Sequence, residues 1–381
     1  MERKDELLGR NLLFWLSRRL NYPLLPPDMV QVNFTFQCNL RCKMCDMHKQ
    51  MIRMQREGRQ TEINTPLLKK IIQDTKELGT KTILFIGGEP FLREDLFELI
   101  RHAKGFDLNA CLVTNGVLMN ESIIHDCLDS GVDCITISID AASEEIFNKI
   151  RGQNVLKAIT DNIKKLNQIK EEQKKESPNL VVCCTVMNEN LEELIAVADL
   201  CKDLKAEKIF FQPVVSCNID QTRRDEKFSG SIPPERLPAL DESITRLIDY
   251  KKSSPSRYSL IANSIKMLDL MKDYFRGKLD SQKIPCYAGY NRLQVIQEGE
   301  VYFCVNQNRH KSGFGNIEKQ SLKELWYSKE AAHYRKLIGA CQTPCLQWCS
   351  RRDEFVELAD YAQKEILFEA SKTTIGYGRR K

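Results

Sequence analysis

From Met29 onward, short apolar runs rich in β-branched residues alternate with longer stretches of helical periodicity. Strands are predicted at Val30–Phe36, Thr82–Ile86, Asn109–Thr114, Cys134–Ile139, Leu180–Met187 and Lys208–Pro213. Helices are predicted between them, over 65–78, 93–104, 121–130, 143–170 with a break near Gly152, and 191–204. The charged segment Gln168–Ser177 reads as a solvated connection. Six strand–helix units in series argue for a parallel α/β sheet, and six are too few to close an eight-stranded barrel. The expected fold is therefore α/β, a partial (β/α)6 parallel barrel over 29–217. Before it, 1–28 carry a helical stripe of Leu8, Leu12, Trp15, Leu16 and Leu20 that ends at Pro23, Pro26 and Pro27. Such stripes usually face a core, so this helix should cover the open side of the barrel. Arg10, Arg18 and Arg19 on the same helix leave a membrane-surface role as the other reading.

After the sixth strand the pattern changes. Asn218–Gly230 is polar, and 218–280 reads as a helical connection. Residues 281–352 form a small cysteine-rich unit of hairpin plus helix. The hairpin is predicted at Arg292–Ile296 and Val301–Cys304, with Glu298 and Gly299 in its turn. A helix at Glu354–Glu369 and a basic tail complete 353–381.

Composition narrows the class. The 381 residues carry a net charge of +5, too little for nucleic acid to be an expected partner. No apolar run is long enough for a membrane span, and no secretion signal is visible, so membrane association is not expected. Fifteen cysteines, an odd number, point to reduced thiols and a cytoplasmic setting. Seven of them sit in apolar surroundings and read as small core residues. The other eight fall in two groups.

The first group, Cys38-x3-Cys42-x2-Cys45, follows the first strand immediately. Thiols this close are metal ligands more often than redox pairs. Spacing alone leaves two candidates, a zinc site completed by His48 and an iron–sulfur cube with one iron open. The second strand runs into Gly87-Gly88-Glu89-Pro90, where two glycines permit close backbone approach and Glu89 offers an acceptor to a cationic amine. Both motifs fall at the carboxyl ends of strands, where parallel α/β folds gather their ligands.

These two motifs resemble those of the radical S-adenosylmethionine (SAM) superfamily, over roughly residues 29–215. The resemblance implies a [4Fe–4S] cluster on Cys38, Cys42 and Cys45 whose open iron chelates SAM. One-electron reduction then yields a 5′-deoxyadenosyl radical that abstracts hydrogen from substrate. It also implies cofactor-binding roles for Gly87, Gly88 and Glu89, the last toward the SAM ammonium. By position, Asn115 in Thr114-Asn115-Gly116, and Ser138 with Arg151 toward the SAM carboxylate, are similar. Asn188 and Gln212 are strand-end candidates. Two departures stand out. Met44 precedes the third cysteine where an aromatic is usual, and Ala141 follows the aspartate where glycine is common.

The second group, Cys286-x12-Gly299-x4-Cys304 followed by Cys341-x3-Cys345-x3-Cys349, resembles a SPASM or shorter twitch extension. The resemblance implies one auxiliary [4Fe–4S] cluster, on Cys286, Cys304 and two of Cys341, Cys345 and Cys349, with Cys345 and Cys349 favoured. A zinc knot on four thiolates is the structural alternative.

The expected function is a radical SAM oxidoreductase or maturase that uses a flavodoxin- or ferredoxin-like electron donor. Its substrate is expected to be a peptide or protein side chain, or a small carbohydrate-like molecule. Some 28 residues before the barrel are too few for a leader-peptide-binding domain. Val305 stands where sulfatase maturases place an aspartate after the hairpin cysteine. The chain also lacks the terminal Gly-Gly of molybdenum-cofactor cyclases and any cobalamin-binding region. The alternatives are an iron–sulfur electron carrier or sensor, and a one-cluster enzyme with structural zinc. An RNA-modifying role ranks last, because no basic stripe with interleaved aromatics is present.

Overall fold

The computed structural model describes residues 4–215, 231–280, 284–304, 313–341 and 345–347. Cys349, the Asn218–Gly230 loop, the Glu354–Glu369 helix and the basic tail lie outside them. After α1 (Lys4–Leu20), β1 (Met29–Thr35) leads to α2 (Met47–Arg56) and α3 (Thr65–Glu77). Then come β2 (Thr82–Gly87), α4 (Leu96–Gly105), β3 (Asn109–Thr114), α5 (Glu121–Ser130) and β4 (Cys134–Ser138). They are followed by α6 (Glu144–Arg151), α7 (Leu156–Gln173), β5 (Asn179–Val186), α8 (Leu194–Asp203) and β6 (Lys208–Pro213). The rest comprises α9 (Leu237–Lys252), α10 (Pro255–Leu260), α11 (Ile265–Phe275), β7 (Arg292–Val295), β8 (Val301–Tyr302), α12 (Leu322–Trp326) and α13 (Lys329–Gly339).

The strands form one open sheet of eight in the order β6-β5-β4-β3-β2-β1-β7-β8. Strands β1 to β6 are parallel, the partial barrel expected of six β/α units. Side chains alternate between two faces. Val30, Val32, Ile83, Phe85, Ala110 and Leu112 pack under the helices in one continuous core, while Gln31, Leu84, Cys111 and Cys134 share the other, concave face by register.

The predicted hairpin is present, but it is not a separate unit. β7 pairs parallel with β1, Val30 opposite Leu293 and Val32 opposite Val295, and β8 closes antiparallel on β7. Leu293, Val295, Phe303 and Trp326 belong to the same core as β1 and β2. At the other edge, the Asn263 side chain imitates a strand, accepting from Phe211 N at 2.7 Å and donating to Phe211 O at 2.8 Å.

Three local expectations change. The segment read as solvated from Gln168 continues α7 to Gln173, because Ile169 extends its buried stripe. Helix α2 was not foreseen, since among its residues only Met54 is buried. Helix α1 forms as predicted but is turned the other way. It docks through Phe14 onto Tyr287, Tyr290 and Leu25, with Asn11 and Ser17 also buried. Its leucine stripe faces outward, with Leu12 and Leu20 each 56% exposed.

Candidate active site

The cysteine loop leaves β1 and is anchored from three sides. Lys43 N donates to Ile150 O at 2.8 Å, and Gln153 Nε2 to Asn39 O at 3.1 Å, so the end of α6 holds its far limb. The near limb is clamped against β2, where Gly88 N donates to Thr35 O and Glu89 N to Gln37 O at 2.8 and 2.7 Å. This clamp explains the glycine pair. A Cβ on Gly87 would lie 2.3 Å from Thr35 O, and one on Gly88 1.9 Å from Gln37 O. The close approach anticipated at Gly87-Gly88 is thus made first to the cysteine loop's own backbone.

Between the loop and the strand ends lies a cavity of about 510 Å³. Cys38, Cys42 and Cys45 line it together with Gly87, Gly88, Asn115, Ser138 and Arg151. Asn115 Nδ2 bonds Asn39 Oδ1 at 2.7 Å, tying the end of β3 to the loop. Arg151, the last residue of α6, is buried; its Nη1 donates to Cys42 Sγ at 3.5 Å and its Nη2 pairs with Asp140 Oδ2 at 2.5 Å. Burial alone would lower the pKa of this guanidinium, but Asp140 and Cys42 outweigh it and fix the charge. Met44 lines the cavity too and packs with Ile150, Met187 and Val214.

Three candidates stand elsewhere. Glu89 is fully buried and outside the cavity lining, with both carboxylate oxygens engaged. It accepts from Thr114 Oγ1 at 2.7 Å, Asn115 N at 2.9 Å and Phe91 N at 3.2 Å. Its carboxylate straps the end of β2 to that of β3. Burial raises its pKa, and those three bonds oppose the rise. Asn188 meets Arg236 Nε at 3.3 Å, and Gln212 sits beside Thr185 in the β5–β6 register; neither lines the cavity. The residue that sequence reasoning passed over is Asp140. A carboxylate buried at a strand end, with an arginine at the end of the following helix, was the available signal.

The donor set fits an iron–sulfur cube. A cube takes one thiolate per iron and so spreads them around its corners, which suits three thiols on the wall of one cavity. Burial pushes Cys45 up to about 11 and raises Cys38 as well; such thiols become ligands by exchanging protons for metal. His48 Nδ1 and Arg151 Nε are buried there without a hydrogen-bond partner.

The second cysteine group lies at the other end of the sheet. Cys286 precedes β7, which runs with β1, and Cys304 follows β8, which runs against it. Both therefore stand where β1 begins, whereas Cys38 stands where it ends. The seven residues of β1 separate the two ends by about 20 Å. Cys341 follows α13, which is held to this end by Arg335 Nε bonding Gly289 O at 2.7 Å, and Cys345 is buried.

Residues 32–201 match the radical SAM superfamily, and residues 286–351 match SPASM, an iron–sulfur cluster-binding domain. The chain thus carries a radical SAM domain over its barrel and a SPASM domain over its late cysteines, and these domains imply a [4Fe–4S] cluster, SAM and auxiliary iron–sulfur chemistry as cofactors. It is 24% identical over 341 residues to the tungsten-containing aldehyde ferredoxin oxidoreductase cofactor-modifying protein of Pyrococcus furiosus, covering 86% of this chain and 89% of that one. Among solved structures, it resembles SuiB of Streptococcus suis bound to the precursor peptide SuiA. The TM-score is 0.62 at 14% identity, over 87% of this chain and 72% of that one. It also resembles native anSMEcpe with bound AdoMet and the Kp18Cys peptide, with TM-score 0.60 at 20% identity over 82% and 84%. These likenesses show a shared fold.

Proposed function

We propose that this protein is a radical SAM oxidoreductase of the maturase type, acting on a substrate held on the concave face of the sheet between its two cysteine groups. The observation that carries this reading is the topology: one cysteine group at each end of β1, with a cavity over the carboxyl ends of β2, β3 and β4. When bound, the cluster and SAM supply a 5′-deoxyadenosyl radical that takes hydrogen from an unactivated carbon. Cys38, Cys42 and Cys45 would hold the cluster. Arg151, locked by Asp140, and Ser138 would hold the SAM carboxylate, for which a fixed guanidinium is suited by its forked geometry. Asn115, Gly87 and Gly88 form the wall beside it. Glu89 acts one step back, holding Thr114 and Asn115 in place. Leu40, Met44, Ile86 and Val113 line the same cavity and keep water from the reacting atoms.

Cys286, Cys304 and two of Cys341, Cys345 and Cys349 would hold an auxiliary cluster, which would supply an electron acceptor for a net oxidation or bond formation. A flavodoxin- or ferredoxin-like protein supplies the first electron. The name of the Pyrococcus relative speaks for a substrate belonging to another enzyme's maturation, a peptide or a small molecule.

Anaerobic iron and sulfide analysis tests the reading. Wild type should hold about eight irons per chain, and a Cys38/Cys42/Cys45→Ala variant about four, as two cubes require. Only the wild type should form 5′-deoxyadenosine with dithionite and SAM. Retention of no iron by the variant, with zinc in its place, would reduce the second group to a structural site and remove the oxidation.

A further inference from the structure

Helix α1 presents to solvent the side that a core would ordinarily claim. Asn11, Phe14 and Ser17 point inward, and Arg18 Nε bonds Cys286 O at 3.2 Å. The opposite arc is apolar: Leu12, Leu13, Trp15 and Leu20 are all exposed, and Leu16 is partly so. Ten large apolar side chains are exposed among the described residues, and six of them fall between Leu12 and Leu24. Tyr22 extends the patch to Tyr327, its ring centroid 5.9 Å away. An apolar surface concentrated in this way marks an interaction site.

We propose that this face lies on an anionic lipid surface, with α1 parallel to it. The helix is fixed by its inner side, so the outer arc is already oriented and need not reorganise. Trp15, Tyr22 and Tyr327 are residues that favour the water–lipid boundary, having an apolar body and a polar tip. Arg19 lies over the Trp15 ring at 5.0 Å and is exposed, placing a cation at the patch. The small positive net charge of +5 favours negative over neutral headgroups. Among the described residues no helix is long and apolar enough to cross a membrane, so the helix rests on the surface. The patch is at the Cys286 end of the sheet, and docking there leaves the mouth of the cavity at the Cys38 end free.

The test is flotation of the cluster-loaded protein with phosphatidylcholine vesicles, with and without about one-third phosphatidylglycerol. Binding should require the anionic lipid, weaken as salt rises, and fall about a hundredfold in Leu12→Glu/Leu20→Glu. The substituted leucines touch solvent, so iron content and circular dichroism should be unchanged. Tryptophan emission should shift to the blue on binding, and Trp15→Phe should abolish most of that shift while still floating. Absence of vesicle binding overturns the proposal, as does equal binding by the double variant. A mass that doubles with concentration and reverts in the double variant, without flotation, also overturns it and assigns the face to a second copy.

Discussion

At Gly88 the missing side chain is the functional feature. Any Cβ there would press on the Gln37 carbonyl at 1.9 Å, a backbone atom that yields only if the cysteine loop moves off β2. Gly88→Ala should therefore lower stability by about 2–3 kcal/mol and cut iron incorporation several-fold. Gly105→Ala, where nothing lies within 4 Å, should do neither. Thermal melts and iron content after reconstitution read both effects. The motif was legible in the sequence, but the physical need for glycine was assigned to a ligand; it comes first from the loop packed against it. Glu89 shows the same limit. Its presence after two glycines was plain, while its three bonds to the ends of β2 and β3 depend on strands that only folding brings together.

Between elements, Arg93 and Asp95 hold the floor beneath the cysteine loop. Arg93 Nη1 donates to Ile63 O at 2.9 Å and to Phe34 O at 3.3 Å, while its Nε and Nη2 grip Asp95 at 2.9 and 2.7 Å. Thr65, at the start of α3, donates to the same carboxylate at 2.6 Å. Burial would push the Asp95 pKa up, but the Arg93 and Thr65 bonds prevail and hold it below the usual value. A depressed carboxyl contributes stability above its unfolded pKa of about 3.9, and loses it as pH falls through the folded value. Asp95→Asn should cost about 2 kcal/mol at pH 7. The difference from wild type in urea melts should shrink below about pH 4; a gap that stays constant to pH 3 would refute the assignment. The break between α6 and α7 at Gly152 was visible as a glycine in a helical run. The orientation of α1 was not, because its periodicity fixes a stripe but not which neighbour the stripe meets.

At the scale of the whole molecule, β7 makes the late cysteine region part of the barrel. Removing everything after residue 280 would expose the edge of β1, strip Phe14 of Tyr287 and Tyr290, and bare the core residues that Leu293 and Trp326 cover. Such a fragment should aggregate during size-exclusion chromatography, as bare parallel edges do. A monodisperse fragment carrying a full first cluster would instead mean that the barrel stands alone.

The sequence by itself determined the alternation of strand and helix, the two cysteine groups, the glycine pair and the superfamily they resemble. These features are local: periodicity, spacing and turn chemistry are properties of neighbouring residues. The tertiary structure alone decided that Asp140 locks Arg151, that Glu89 turns inward, that the hairpin joins β1, and that α1 shows its leucines to solvent. Each of these depends on contacts between residues far apart in the chain, and no pattern along the chain encodes which distant surface a side chain will meet.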